Sequence, residues 1–93
     1  MNVEKLIELI KKAKEDFGID MVLTVEKGLD WFILVHHHFK YFLKDSYDDC
    51  EIVMVRVIGA KSEKEAFSRA CNQLKDWISE HQEALTQLRT WYL

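Results

Sequence analysis

The sequence predicts a single α+β domain, in which an N-terminal helix packs on a three-stranded antiparallel sheet and a long or broken helical segment follows. Apolar residues recur at helical spacing at both ends of the chain and alternate with period two in the middle. The chain has 93 residues, of which 48% are hydrophobic. This is enough apolar material for a core and the length of one domain, so residues 1–93 are expected to fold together in the order α-β-β-β-α-α.

The first predicted element is an amphipathic helix between Asn2 and Gly18. Asn2 is a residue type that caps helix N-termini, and Gly18 is the type that ends helices in the left-handed conformation. The apolar residues that share one stripe of this helix are Val3, Leu6, Ile7, Ile10, Ala13 and Phe17.

After Gly18 the apolar period changes to two, which is typical of a half-buried strand. The alternating apolar residues are Ile19, Met21, Leu23 and Val25. Residues 27–30 then predict a turn, in which Gly28 is expected to supply a positive φ.

Two longer strands are predicted at residues 31–43 and 50–58, joined by a polar turn. Simple alternation places Val53, Val55 and Val57 on one face of the second of these strands, and Ile52, Met54, Arg56 and Ile58 on the other. Both strands thus carry apolar residues on both faces, whereas an antiparallel sheet normally leaves one face in water. We therefore expect another helix, a partner chain or another binding partner to cover part of the second face.

The sheet is expected to end at Gly59, where a capping box from Ser62 to Glu65 opens the last helical segment. One unbroken helix of about 30 residues would be about 45 Å long. A domain of this size is expected to have a radius of gyration of only about 12 Å. Because Ser79 and Gln82 could form a second capping box, the sequence favours a break between Ser79 and His81 and a short third helix.

Charge and targeting features limit the class of protein. The net charge of −3, from 13 basic and 16 acidic residues, argues against a general polyanion binder and suits a basic protein partner. The N-terminus lacks the flank and apolar region of a signal peptide, and no apolar run approaches the roughly 18 residues that span a membrane. Cys50 and Cys71 are too few for a disulfide scaffold, so we expect reduced cysteines in a cytoplasmic protein.

Three consecutive histidines, His36 to His38, are the main candidate for metal chemistry. Strand geometry sends His36 and His38 to one face and His37 to the other. A His-x-His pair is a known ligand spacing, but zinc needs at least one more protein ligand. The nearby candidates are Cys50, Asp48, Asp49 and Glu51. The favoured interpretation is polar residues on the wetter face, so no metal and no cofactor is predicted, and metal binding stays a second alternative.

Catalysis has little support in the sequence. The three glycines stand alone and form no phosphate-binding loop. No arrangement of nucleophile, base and orienting group is visible, so the chain is predicted not to be an enzyme.

The C-terminal aromatic residues are candidates for contact with a protein partner. Trp77 and Trp91 lie beside the apolar stripe of the last helical segment, and Tyr92 continues it. These rings could cover the second face of the sheet or form an exposed patch for a partner or a second subunit. The predicted protein-binding set adds the acids of the turn region and reads Trp77, Trp91, Tyr92, Asp45, Asp48, Asp49 and Glu51.

The α-β-β-β-α order resembles the double-stranded-RNA-binding domain. Residues 59–67, Gly-Ala-Lys-Ser-Glu-Lys-Glu-Ala-Phe, lie where that family has a glycine and then a Ser-Lys-Lys-x-Ala-Lys helix start. The family's lysines grip phosphates; Lys64 matches here, while Glu63 and Phe67 replace the other two. Residues 27–30 contain no histidine to reach the minor groove. If this alternative holds, the nucleic-acid candidates are Lys61, Lys64, Arg69 and Lys40.

Residues 77–80 and 88–91 resemble the tail of a family of small acidic accessory proteins from phages of Gram-positive bacteria. Such proteins, which include some anti-CRISPR inhibitors, are short α-β-β-β-α chains. The resemblance implies action by binding a host or phage protein, often one that handles nucleic acid. The sequence therefore predicts a protein-binding module, acting as a dimer, an inhibitor or an adaptor, with nucleic-acid binding as the alternative.

Overall fold

A computed structural model shows two helices and one antiparallel sheet, which confirms the predicted α+β class. It describes the backbone of residues 2–43 and 46–92 and the side chains of residues 3–38 and 51–86. The elements are α1 (Asn2–Phe17), β1 (Val22–Lys27), β2 (Trp31–Leu43), β3 (Ser46–Ala60) and α2 (Glu63–Tyr92). The strands lie in the order β1-β2-β3.

The core lies between the helices and one face of the sheet, which we call the helix-covered face. The strands contribute Ile33 and Val35 from β2 together with buried residues of β3, and the helices contribute Leu6 and Leu74. Trp31 closes one end of this core, with its ring edge-on to that of Phe67 at 6.3 Å between centroids. Alternate residues of two strands therefore meet both helices in one apolar cluster.

α2 also protects the outer edge of β3. The side-chain oxygen Oε1 of Gln73 accepts a hydrogen bond of 3.0 Å from the backbone N–H of Arg56. This contact occupies a strand donor that would otherwise be open to pairing with another chain.

The end of α1 agrees with the prediction, whereas the segment after it differs in two ways. Gly18 has a φ of 72°, and its N–H donates to the carbonyl of Lys14 at 2.8 Å. β1 begins at Val22 rather than at Ile19. Among the described residues, positive φ occurs only at Gly18 and Gly59, so the predicted positive φ of Gly28 is wrong. The turn is held instead by the Gly28 N–H, which donates to the carbonyl of Asp30 at 3.1 Å.

β3 contains two irregularities that the predicted alternation lacks. Val55 pairs with Val35, but Val53 pairs with His36, so Met54 is an extra residue in β3. Met54 and Val55 are both buried, at 6% and 1% exposure, as in a bulge where neighbouring side chains share a face. The prediction that Val53 shares a face with Val55 is therefore wrong.

The second irregularity is at the end of β3. Trp31 pairs with Ala60 and Ile33 with Val57, which leaves an extra residue between them on β3. Gly59 has a φ of 76° there, a conformation that glycine adopts without a steric penalty. Gly59 thus bends the strand, and the prediction that it ends the sheet is wrong by one residue.

α2 is a single helix of 30 residues, so the predicted break between Ser79 and His81 is wrong. Its N-terminus is capped as expected: the Glu65 N–H donates to Ser62 Oγ at 3.1 Å, and Glu65 Oε2 accepts from the Lys61 N–H at 3.1 Å. A second cap at Ser79 would contribute about 1 kcal/mol. A break would sacrifice several backbone hydrogen bonds, each worth about 0.5–1.5 kcal/mol, so the continuous helix is favoured.

The length of α2 shows in the shape of the molecule. The longest dimension is 46 Å and the radius of gyration is 14.8 Å, above the value of about 12 Å expected for a compact domain of this length. In the part of the chain that the structure describes, neither helix combines the length and the apolar character needed to cross a membrane.

Cys71 lies within the core on α2, with 6% of its surface exposed. Burial raises the pKa of its thiol, because the charged thiolate is poorly solvated there. The thiol thus packs as a small hydrophobic side chain. The side chain of Cys50 lies outside the described residues.

Candidate functional site

The face of the sheet opposite the helices is the candidate site, and we call it the open face. In an antiparallel ladder, paired residues share a face and successive residues alternate. Val22 pairs with His36, and His38 pairs with Glu51, on this face. Every second pair along the two ladders from these positions identifies its other members. The members whose side chains the structure describes are Val22, Thr24, Glu26, Phe32, Leu34, His36, His38, Glu51, Val53, Arg56 and Ile58.

Apolar side chains on the open face are accessible to solvent. Val22, Val53 and Ile58 are 48%, 37% and 62% exposed, and Phe32 and Leu34 are half-buried between them. Because α2 is one continuous helix, its C-terminal part does not turn back over this face. The expectation that another helix covers the second face is therefore wrong for the described chain, and the expectation of a partner there stays a prediction.

Two histidines and a glutamate meet on the open face, at the limit of its described side chains. His36 Nδ1 lies 3.2 Å from Glu51 Oε1, and the rings of His36 and His38 are edge-on at 4.8 Å between centroids. The side-chain ligand atoms of all three residues lie within 4.8 Å of one another. We call this group the histidine–glutamate cluster.

The extra residue Met54 is what brings Glu51 to the cluster. If Met54 were paired as an ordinary strand residue, strict alternation from Val55 would place Val53 and Glu51 on the helix-covered face. The shift in register instead places Val53 opposite His36, and Glu51 opposite His38. The position of Glu51 in the cluster therefore depends on the bulge in β3 rather than on a local motif around Glu51.

His37 belongs to the other face of β2 and makes a different contact. Its Nδ1 lies 2.5 Å from the carbonyl oxygen of Asp20, in the connection between α1 and β1. The histidine run therefore divides as strand geometry predicts, with two members available to one ligand and one member tied to the fold.

Of the predicted protein-binding residues, the two whose side chains are described, Trp77 and Glu51, lie on different surfaces. Trp77 packs against the edge of the core and stacks on His81, with ring centroids 4.5 Å apart. Glu51 belongs to the histidine–glutamate cluster on the open face. The side chains of the others lie outside the described residues: Asp45, Asp48, Asp49, Trp91 and Tyr92.

The predicted nucleic-acid residues lie among acids. Lys61 Nζ bonds to Asp30 Oδ1 at 2.6 Å, a contact that raises the pKa of Lys61. Arg69 Nη1 lies 3.8 Å from Glu65 Oε1. Lys64 and Arg69 border a surface depression on the first turns of α2 that Glu65 also lines. The side chain of Lys40 lies outside the described residues. This mixed charge is unlike the basic stripe of a polyanion-binding surface.

Sequence reasoning did not select Val22, Val53 or Ile58 as site residues. The strands carry apolar residues at both odd and even positions, and this pattern predicted that the second face would be apolar. It did not identify which residues lie on that face. The missing information was the register of β3.

Comparison with known proteins returned no match: no family model, no curated protein and no solved structure is similar to this chain. The resemblances to the double-stranded-RNA-binding domain and to phage accessory proteins therefore stay predictions.

Proposed function

We propose that this chain is a non-enzymatic protein-binding module that binds through the open face, with a second copy of itself as the partner. The observation that carries the proposal is the exposure of Val22, Val53 and Ile58 around half-buried Phe32 and Leu34. Large apolar side chains grouped on one uncovered surface are typical of interaction sites.

The chemistry of the open face suits an identical surface. Two sheets can pack face to face about 10 Å apart when their inner side chains are apolar. The face also carries both signs of charge: Glu26 and Glu51 are acidic, and Arg56 is basic. In a two-fold dimer each copy contributes the same patch, so Arg56 can face an acid of its partner.

Substitution of Ile58 by glutamate tests the surface. Ile58 is 62% exposed, so the change is expected to leave the monomer folded while placing a charge in the interface. Leu29→Glu is the matched control, because Leu29 is fully exposed in the turn between β1 and β2, away from the open face.

Sedimentation equilibrium should show a dimer for the wild type and for Leu29→Glu, and a monomer for Ile58→Glu. A wild-type monomer at concentrations of about 100 µM, where even weak association of μM affinity is saturated, would refute self-association. Equal dimerisation of Ile58→Glu and the wild type would show that the open face is not the binding surface.

The narrower proposal is that the module acts in the cytoplasm as an inhibitor or adaptor of a complex that handles nucleic acid, as phage accessory proteins do. Its support is the sequence resemblance at residues 77–80 and 88–91 and the net charge of −3, which suits a basic partner. A photo-crosslinking residue at exposed position 80, within the segment that carries the resemblance and outside the open face, should trap a nucleic-acid-handling protein, whereas the same residue at position 29 should not. Crosslinks that are the same from both positions would contradict it.

A further inference from the structure

We propose that His36, His38 and Glu51 bind a divalent transition-metal ion, with zinc as the expected ion. Two imidazole nitrogens and one carboxylate oxygen are a ligand set that zinc uses when a fourth position is left for water or another ligand. This site goes beyond the proposed protein binding. It lies on the open face, further along the strands from the apolar Ile58.

The spacing of the three residues is close to what zinc requires. With bonds of about 2.0–2.1 Å, the ligand atoms of a tetrahedral zinc site lie about 3.3 Å apart. The ligand atoms here lie within 4.8 Å of one another, and His36 Nδ1 to Glu51 Oε1 is already 3.2 Å. His38 and Glu51 are exposed, so rotation of their side chains can close the remaining distance.

His36 is the anchor of the site, because its nitrogen is buried without a hydrogen bond. The side chain is only 13% exposed, and Nδ1 has no hydrogen-bond partner among the described residues although Glu51 is at ion-pair distance. Buried polar atoms are normally satisfied, and a bound ion is one way to satisfy them. A metal ion would use the lone pair that is aimed at the cluster.

A simple ion pair explains the cluster less well. Charging His36 to pair with Glu51 would place a cation next to the ring of His38, which lies 4.8 Å away between centroids. That arrangement leaves His38 without a role, whereas a single divalent cation interacts favourably with both neutral imidazoles and the carboxylate. Because the ligand atoms of three residues meet, and not only the two of an ion pair, a bound metal ion is the better explanation.

The test uses full-length protein without a histidine tag, freed of metal and titrated with Zn²⁺ by calorimetry and with Co²⁺ by visible absorption. His38→Gln and Glu51→Gln each remove one exposed ligand. His81→Gln, on α2, is the matched control. We expect one Zn²⁺ per chain and at least about a 100-fold weaker affinity in the two ligand variants, since losing even an outer partner of a ligand costs 10–100-fold. His81→Gln should bind as the wild type does.

Two results would overturn the site. One is the lack of stoichiometric Zn²⁺ binding by the wild type. The other is unchanged Zn²⁺ affinity in both ligand variants, which would place the metal elsewhere.

Repeating the titration with Ile58→Glu separates this inference from the proposed dimer. That variant keeps all three ligands, so a site within one chain should bind Zn²⁺ as tightly when the protein is monomeric. If binding disappears with the dimer, the ligands come from two chains and the single-chain site is wrong.

Discussion

The two faces of one sheet differ more than the sequence of its strands suggests. Along β2, Ile33 and Val35 are completely buried on the helix-covered face, while Leu34 between them is half-buried on the open face. On β3, Val57 is buried and its neighbour Ile58 is 62% exposed. Equally apolar neighbours thus have different roles, because both helices pack on the same side. The helix-covered face holds the core, and the open face leaves apolar side chains exposed.

The largest expected effect tests this division directly. Leu74→Ala should lower the free energy of unfolding by about 2–5 kcal/mol, because it leaves a cavity among fully buried side chains. Ile58→Ala removes a similar amount of apolar surface from the open face. It should change the stability of the monomer by no more than about 0.5 kcal/mol. Chemical denaturation at protein concentrations low enough to avoid association would measure both, and equal losses would show that the faces do not differ.

The next effect concerns the backbone irregularity at Gly59, near the end of β3. Gly59→Ala should cost about 1–2 kcal/mol, because alanine is strained at a φ of 76°. An added Cβ meets nothing within 4 Å at either Gly59 or Gly28. Gly28→Ala, where φ is not positive, is therefore a matched control that should be near neutral. If thermal denaturation shows that both variants lose stability equally, the irregularity at Gly59 has no energetic role.

A smaller effect is expected from the two serines of the predicted capping boxes, Ser62 at the start of α2 and Ser79 inside it. Ser62→Ala should cost about 1 kcal/mol, because it removes the acceptor of the Glu65 N–H. Ser79→Ala should instead stabilise the protein by about 0.5 kcal/mol, since alanine is the better residue inside an exposed helix. A loss of stability in Ser79→Ala, measured by urea denaturation, would indicate that the helix breaks there after all.

The smallest effect is expected away from both faces, in the connection from α1 to β1. The ammonium of Lys14 bonds to the carboxylate of Asp20 and lowers the pKa of that carboxyl below its ordinary 3.8. Because the folded-state pKa is the lower one, the stabilisation is present above pH 3.8 and is lost as the pH falls through the folded value. NMR titration should show a higher Asp20 pKa in Lys14→Met. An identical titration in both proteins would mean that the pair is not formed in solution.

The features that could be predicted from the sequence are those set by neighbouring residues. Helical spacing located α1, the Ser62–Glu65 capping box located the start of α2, and period-two runs located the strands except at two of their starts. β1 begins at Val22 rather than at Ile19, and β3 begins at Ser46 rather than at Cys50, within the predicted turn. The break at Ser79 was predicted wrongly because it used an expectation of compactness for the whole chain, while the local helix-forming residues determine the outcome. Local signals were therefore more informative than size.

The candidate site could be predicted only in part, because it depends on pairing between distant segments. Alternation correctly separated His37 from His36 and His38. Proximity to the histidine run gave four candidate ligands, three acids and one thiol, and Glu51 was one of them. The sequence could not select Glu51, because a bulge such as that at Met54 has no required residue type. Gly59 carries a conformational signal, whereas Met54 carries none.

The bulge at Met54 has a consequence for how this chain can change over time. Deletion of that residue would join Val53 directly to Val55, so Val53 would still pair with His36 and Glu51 with His38, now in a ladder without a bulge. Pairing Met54 as an ordinary strand residue would instead turn Val53 and Glu51 to the helix-covered face. Descendants of this gene can therefore lose Met54 and keep the histidine–glutamate cluster, whereas those that keep the residue but lose the bulge would lose the cluster.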